Sequence, residues 1–535
     1  MKTGPLAAAA VLAAAVVVSH LPLLKAGYVQ DDHVAVEGNA IAASGTAAAI
    51  VSSSYWEAAR GGDRSLYRPV TVASFALEIA AGGGARPGFS HAINLLLHAA
   101  VCWLVYAIAV RCGIAPAAAL LAALLFAVTP AKSEAVANVV GRSELLAALF
   151  TLAAVRWALE AGVRSAAWAA AACVLLAAAS KETGLVALPL VLLVALDGRK
   201  ASYAFGLIAP SVLAAVVFAV LRTRALLAFF PAQIVPPIDN PLVLQHGIPY
   251  VATAVGLIAR YARIVVFPFG LANDYSGASI PIEPSFLALR PAVGVVIAGA
   301  LVWAATRGRV AALFVAITVA PYLLISNLVV PVGAIFAERF LYLPVAGLCL
   351  LAALAIDKLG RPARVTAALS VAVFGVAMFA RSADWTSDAT IFAATARNNP
   401  RSSKAALWLG RADDAIASWP ESAAAWHDKG VALAKSGDLP GAERALREAV
   451  RLEPTRPTPQ LNLGLVLHRS GNLDEAEREL RKAVLLDPTN PRALAELGHV
   501  RFEQGRFAGA ADAYRKAVAL GRADLLPRLR ELERE

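Results

Sequence analysis

Charge is scarce in this sequence: Asp, Glu, Lys and Arg supply 16% of its 535 residues, while 59% are hydrophobic. Soluble globular chains carry about 25% charged residues, so ordinary solubility is excluded for most of the length. Cysteine is equally sparse, with Cys102, Cys112, Cys173 and Cys349 all lying within or at the edge of apolar runs. No disulfide framework can be drawn from them, and they are expected as packing residues. Three chemical signatures are missing too: a Walker-type phosphate loop, a His-Glu-x-x-His helix, and a strand followed by Gly-x-Gly-x-x-Gly. A nucleotide-fuelled or zinc mechanism therefore lacks support, and "AGGGARPG" at 81–88 reads as a flexible connector.

What the sequence does contain is a series of long apolar runs. A helix crossing about 30 Å of hydrocarbon needs roughly 17–25 apolar residues. On that ruler spans are expected near 3–24, 89–110, 113–131, 143–160, 165–180, 183–196, 201–221, 291–306, 310–328, 340–356 and 365–380, eleven in all. The first lacks a convincing cleavage site and is taken as a retained span rather than a signal peptide. The short pair joined by "SKET" reads as a hairpin whose turn is drawn toward the membrane plane.

Lys and Arg accumulate in cytoplasmic loops. With the N-terminus inside, the inner loops carry Arg111, Arg164, Arg199 with Lys200, Arg307 with Arg309, and Lys358 with Arg361 and Arg364. The net charge of +11 thus reflects membrane topology, and no nucleic-acid partner is expected. The stretch "IPYVATAVGLIARYARIVVFPFG" decides the parity. Arg260 and Arg263 interrupt it, and mid-bilayer arginine costs about 2.5–3.5 kcal/mol even on lenient scales, so an outer-face interfacial helix is expected.

From Arg381 onward the composition changes, with 24 basic and 22 acidic residues. This tail repeats every 34 residues: Gly430, Gly464 and Gly498; Gly437, Gly471 and Gly505; Ala442, Ala476 and Ala510; Ala449, Ala483 and Ala517; Pro454 and Pro488. That is a tetratricopeptide (TPR) pattern, in which small residues let two helices cross closely. The expected architecture is all-α: a polytopic membrane bundle over 1–380, a linker with degenerate capping helices over 381–421, and a TPR α-solenoid over 422–535. Outer loops are expected at 25–88 and, with the interfacial helix, at 222–290.

This topology gathers Asp31, Asp32, Arg68, Glu134, Arg142, Lys181, Arg260, Arg263, Glu338 and Arg339 at the outer face. Acids and bases from several loops at one membrane surface are expected where charges pair or an anionic substrate is held. Asp31 and Asp32 in "YVQDDHV" are the sharpest candidates. One carboxylate can act as a general base while its neighbour orients the substrate or a divalent cation, although a solvated turn fits the pair equally well. Arg68, Arg339 and Lys181 offer donors for a phosphate. The plainer alternatives are an internal pair of Arg339 with Glu338 and a topological anchor at Lys181. In "FSHAINLLLH", His91, Asn94 and His98 share one helical face, which reads as a polar stripe more readily than as a metal site, so no metal ligand is assigned. Neutral His91 remains a substrate-contact candidate.

Taken in order, "YVQDDHV", "LYRPVTVASFALE", "HAINLLLHAAVCWLV", "LLFAVTPAKSEAVANVVGRSELLAALF", "SKETGLVALP", "IDNPL", "NDYSGASIP" and "VVPVGAIFAERFLYLPVAGLCLL", followed by the repeats, resemble the transmembrane-and-TPR-containing protein O-mannosyltransferases and their bacterial relatives. The resemblance implies a GT-C fold. It implies an enzyme that takes a sugar from a polyprenyl-phosphate carrier on the non-cytoplasmic side and transfers it with inversion to an acceptor hydroxyl on protein or glycan. It implies Asp31 as catalytic base and Asp32 as supporting acid; the reading of the outer-face charges and the polar stripe adds Arg68, His91, Glu134, Arg142, Lys181 and Arg339 as residues about the donor. Where eukaryotic relatives show His-Pro-x-His-Thr-Glu, this chain has "TPAKSE", which keeps Pro130 and Glu134 without the histidines. The expected setting is a bacterial inner membrane, with site and repeats periplasmic and the repeats holding an acceptor or partner polypeptide. The rival reading is a membrane-anchored TPR scaffold without catalysis, for which eleven spans exceed what anchoring needs.

Overall fold

The computed structural model describes residues 4–56, 65–82, 84–160, 164–196, 201–227 and 235–534, and Arg199 and Lys200 lie outside them. The described residues form helices and connecting turns, with no strand element. They divide into two compact units, one made of residues 1–275 and 280–399, the other of 276–279 and 400–535.

In the first unit, helices stand at each of the eleven expected spans: Pro5–Ser19, Pro87–Arg111, Pro116–Val128, Arg142–Ala158, Arg164–Ser180, Ala187–Ala195, Ala201–Leu226, Leu289–Ala305, Arg309–Ile325, Tyr342–Leu359 and Arg361–Asp384. Proline in the first turn opens several of them, where its missing N–H would have no partner anyway. Among the described residues, five helices are long and apolar enough to cross a membrane: Pro87–Arg111, Ala201–Leu226, Gly247–Val266, Glu338–Leu359 and Arg361–Asp384. A sixth arises if Pro116–Val128 and Pro130–Ala137, bent by 55° at the break, count as one span. The bend sits at Pro130, whose ring prevents the preceding helix from continuing. The remaining apolar helices are shorter than a straight crossing requires. Their core is one continuous apolar cluster rich in alanine, which lets helices approach closely.

The flanks of the Gly247–Val266 helix are tied to one end of this bundle. Ahead of it, the Asn240 side chain donates to Asn327 Oδ1 and to the carbonyl of Val332. Behind it, the Ala272 amide donates to Glu338 at 2.7 Å. Toward its C-terminal end, the Ala337 amide donates to the Tyr261 hydroxyl at 3.3 Å.

The polypeptide between the first two spans has its own small core of Tyr28, Val36, Ile50, Tyr55, Trp56, Phe75 and Val139. Short helices Ala40–Ser44 and Ala47–Ser52 build it, the first capped by Asn39, whose side chain accepts from two backbone amides.

The second unit holds three helix pairs: Ala423–Ser436 with Leu439–Leu452, Pro457–Arg469 with Leu473–Leu486, and Pro491–Glu503 with Phe507–Ala519. A shorter pair, Ser403–Trp408 and Ala412–Ser418, precedes them, and Leu526–Leu532 ends the array. The repeat glycines have a steric cause: a Cβ on Gly430 or Gly464 would lie 2.6 Å from Leu446 or Leu480 Cγ, and one on Gly498 2.4 Å from the Tyr514 ring. Gly437, Gly471 and Gly505 adopt φ of 89°, 79° and 73°, the left-handed conformation that ends a helix.

Candidate functional site

The two aspartates separate sharply. Asp31 is exposed, whereas Asp32 is fully buried. The Val29 and Val139 amides each donate to Asp32 Oδ2 at 3.2 Å, and the Val140 amide donates to Oδ1 at 2.8 Å. Asp32 thereby pins the first loop to the turn before the Arg142–Ala158 helix. Burial raises its pKa to about 7, although the three amides pull the other way. Asp31 is aimed by the residue before it: Gln30 has φ of 52°, and its amide donates to Asp388 Oδ1 at 2.8 Å. A non-glycine residue in this region stores about 1–3 kcal/mol of strain, which the flanking bonds sustain.

Beneath this loop lies a buried polar network. Arg142 is fully buried, forms an ion pair with Glu78, donates from Nε to Asn94 Oδ1 at 2.9 Å and from Nη2 to the Ser90 carbonyl at 3.1 Å, and lies against the Phe75 ring. Ser90 donates to Glu78 and also contacts the Tyr28 hydroxyl at 3.0 Å. His91 Nε2 stands 3.2 Å from the Gly27 carbonyl, and its Nδ1 has no partner. Arg142 and His91 therefore hold the first loop in place from below and are turned away from the surface. Asn94 donates to the Asn138 carbonyl at 3.2 Å, and His98 contacts the Tyr342 hydroxyl at 2.7 Å, so the polar stripe on this helix is absorbed by packing.

The other cations come together in three pairs with carboxylates. Arg68 donates from Nε and Nη2 to Glu182 Oε2 at 3.1 and 3.0 Å, with its guanidinium 5.1 Å from the Tyr55 ring centre. Lys181 pairs with Glu144, and Arg339 pairs with Glu134, which also accepts from the Arg339 amide at 2.9 Å. Lys181 and Arg339 share Phe340, at 6.0 and 5.3 Å from its ring centre. Burial holds the Lys181 pKa below the ordinary lysine value against the pull of Glu144. Arg339 also interacts electrostatically with Asp31 and Glu144, and Lys181 with Arg68 and Arg339, so the three pairs and Asp31 form one field. Arg339 is the most open of the three cations, with 40% of its side chain exposed.

Arg339 does not pair with its neighbour Glu338. That carboxylate is buried and turned the opposite way, accepting from the Ala272 amide and from the Tyr275 hydroxyl at 2.9 Å, with Arg381 at 3.4 Å. Glu338 and Arg339 are adjacent in the 3₁₀ turn Glu338–Leu341, where neighbouring side chains point about 120° apart, which explains the split. Arg263 is exposed and Arg260 half-buried on the Gly247–Val266 helix, and neither joins the three pairs. Sequence reasoning passed over Glu144, Glu182 and Glu78; the signal available for the first was its place two residues beyond Arg142. It also passed over Lys132 of "TPAKSE", fully buried beside His98 at 3.1 Å and over the Phe126 ring. Among the described residues no three His, Cys, Asp or Glu side chains are arranged to hold a metal ion.

Comparison with known proteins bears on both units. A tetratricopeptide-repeat family model matches residues 411–457 and 461–524. The human protein O-mannosyl-transferase TMTC4 is 28% identical over 414 residues, covering 64% of this chain and 55% of its own length. The Caenorhabditis elegans protein O-mannosyl-transferase F38B6.6 is 27% identical over 412 residues, covering 74% of this chain and 58% of its own. Human TMTC3, also named a protein O-mannosyl-transferase, is 25% identical over 429 residues, covering 71% of this chain and 46% of its own. The chain thus spans about half the length of these relatives. Its apolar helices and these matches make it an integral membrane protein with a C-terminal TPR array. Over most of its length it is similar to proteins named protein O-mannosyl-transferases.

Proposed function

We propose that this chain is a membrane glycosyltransferase that moves a sugar from a polyprenyl-phosphate carrier to an acceptor hydroxyl on the non-cytoplasmic face. The observation that carries the reading is the exposed Asp31 carboxylate, set by the strained Gln30 and the buried Asp32, in one electrostatic field with Arg339, Lys181 and Arg68. Asp31 takes the proton of the acceptor hydroxyl as its oxygen attacks the anomeric carbon. The carbon–oxygen bond to the phosphate breaks on the opposite side, so the anomeric configuration inverts, and the phosphate carries off the bonding pair. Arg339, the most open cation, meets the growing charge, with Lys181 and Arg68 behind it. Each cation is balanced by a carboxylate before substrate arrives, which keeps the site soluble and ordered.

The face of action rests on the basic loops at the far end and on the Gly247–Val266 helix, read as lying along the outer interface. A 20-residue helix is about 30 Å long, and the six residues from Val266 to Ala272 reach about 20 Å at most. A crossing helix would leave its far flank unable to return to Glu338. The chain leaves the first unit beyond Asp388, which bonds Gln30, so the repeats are assigned to the compartment of Asp31. There they bind the acceptor or a partner polypeptide.

Transfer by purified full-length protein, offered a panel of polyprenyl-phosphate sugars, tests the reading. Consumption of one donor with release of an inverted product is expected. Full activity in the Asp31→Asn, Asp32→Asn double variant would refute the mechanism.

A further inference from the structure

The helices that present the site share a second feature at their other end. Pro87–Arg111, Arg142–Ala158 and Glu182–Ala195 all begin near His91, Arg142 and Lys181 and run away from them, while Arg309–Ile325 starts where they finish. The longest of these has 25 residues, so the two ends are separated by about 37 Å, the scale of a bilayer. At that far end lies a cleft of about 140 Å³ lined by Leu159, Leu193, Val194, Val310, Leu313 and Arg309. It is below the ~300 Å³ at which drug-sized ligand pockets begin. Its walls are mainly apolar, and Leu193 is 40% exposed.

The rim of this cleft is basic. Arg111 donates from Nη2 to the Leu159 carbonyl at 2.6 Å, which places its guanidinium over the cleft wall, and its Nε stands 3.7 Å from Glu160. Arg156 pairs with the same Glu160. Two arginines therefore share one carboxylate beside the Arg309 lining, and the Arg111 side chain is 40% exposed. A narrow apolar slot beneath guanidinium groups at the level of a membrane surface matches a molecule with a hydrocarbon chain and an anionic head. Basic pockets between membrane helices hold anionic phospholipids by the same chemistry.

We propose that this cleft is a binding site for an anionic phospholipid, one acyl chain lying between Leu193 and Val310 and the phosphodiester meeting Arg309 and Arg111. The site lies a bilayer away from Asp31 and does not depend on the proposed reaction. Bound lipid would brace the far ends of the helices that carry Arg142 and Lys181 at their other ends.

The experiment is native mass spectrometry of full-length protein, delipidated in detergent and exposed to equimolar phosphatidylglycerol and phosphatidylethanolamine. Wild type is expected to retain several-fold more phosphatidylglycerol. Arg309→Gln should reduce that preference about fivefold, the equivalent of the roughly 1 kcal/mol that one cation contributes near anionic lipid. Arg309→Lys should keep most of it. Leu193→Trp, which fills the slot, should lower retention of both lipids, with Val310→Phe as a second filler should the first fail to fold. Equal retention of the two lipids by wild type would overturn the proposal. So would an unchanged preference in Arg309→Gln, or undiminished retention in a folded filler variant. Displacement of the bound species by millimolar inorganic phosphate would overturn it as well, by revealing a plain anion site.

Discussion

Asparagine at position 31 and asparagine at position 32 should fail in different ways. Asp31 is exposed and is the proposed general base, so Asp31→Asn should leave thermal stability within about 0.5 kcal/mol while transfer falls by about 10²–10⁴-fold, the usual contribution of a general base. Asp32 is buried and receives three backbone amides on two oxygens. Asn has one acceptor oxygen, so whichever way its amide turns, at least one N–H of Val29, Val139 or Val140 faces another donor. The Val140 amide also donates to Asn138 Oδ1 at 3.0 Å, so an Asn oxygen turned to Val29 and Val139 leaves two donors facing each other but no amide without an acceptor, and Asp32→Asn should lose about 1 kcal/mol of stability. Its transfer should fall as well, because the loop carrying Asp31 is no longer pinned. The two also differ in pH dependence. Burial lifts the Asp32 pKa from 3.8 to about 7, so between these values the unfolded chain releases a proton that the folded chain keeps. The stability from this group is complete below pH 4 and declines as pH rises through 7. Asn does not titrate, so the gap in melting temperature between wild type and Asp32→Asn should narrow from pH 4 to pH 7. Thermal unfolding in detergent across that range, beside the transfer assay, reads all of this. A fully active Asp31→Asn enzyme, or a gap in melting temperature that widens in favour of wild type from pH 4 to pH 7, would refute the division of roles.

The buried pair below the loop gives a second test. Arg142→Gln should destabilise by about 3–5 kcal/mol because the Glu78 charge is stranded, while Arg142→Met with Glu78→Leu should cost less than the sum of the single changes by thermal unfolding. Arg339→Gln removes the most open cation and should lower kcat/KM for the lipid-linked donor by about 10²-fold or more, and it should also cost about 1–3 kcal/mol of stability because the buried Glu134 loses its ion-pair partner. In the repeats, Gly464→Ala puts a methyl 2.6 Å from Leu480 Cγ and should cost about 1–3 kcal/mol, and Gly471→Ala, at φ of 79°, about 1–2 kcal/mol. Both are read by the melting of the full chain, and neither should alter lipid retention at the cleft.

Apolar run length and the 34-residue period settled the architecture without any tertiary information. Twenty apolar residues have no stable alternative to a helix in lipid, and a glycine recurring opposite a leucine of the next helix registers the repeat directly in the sequence. The adjacency of Asp31 and Asp32 was likewise plain. Only the folded chain decided which aspartate is buried and which is exposed, because that depends on where the Val139 and Val140 amides lie, more than 100 residues away. It also decided the partners of the cations: Arg68 with Glu182, Lys181 with Glu144, and Arg339 with Glu134 in place of the adjacent Glu338. Periodicity reports which face of a helix is apolar and carries nothing about which helix stands opposite. Charge pairing is fixed by that second fact, through distances of a few ångströms between segments remote in sequence.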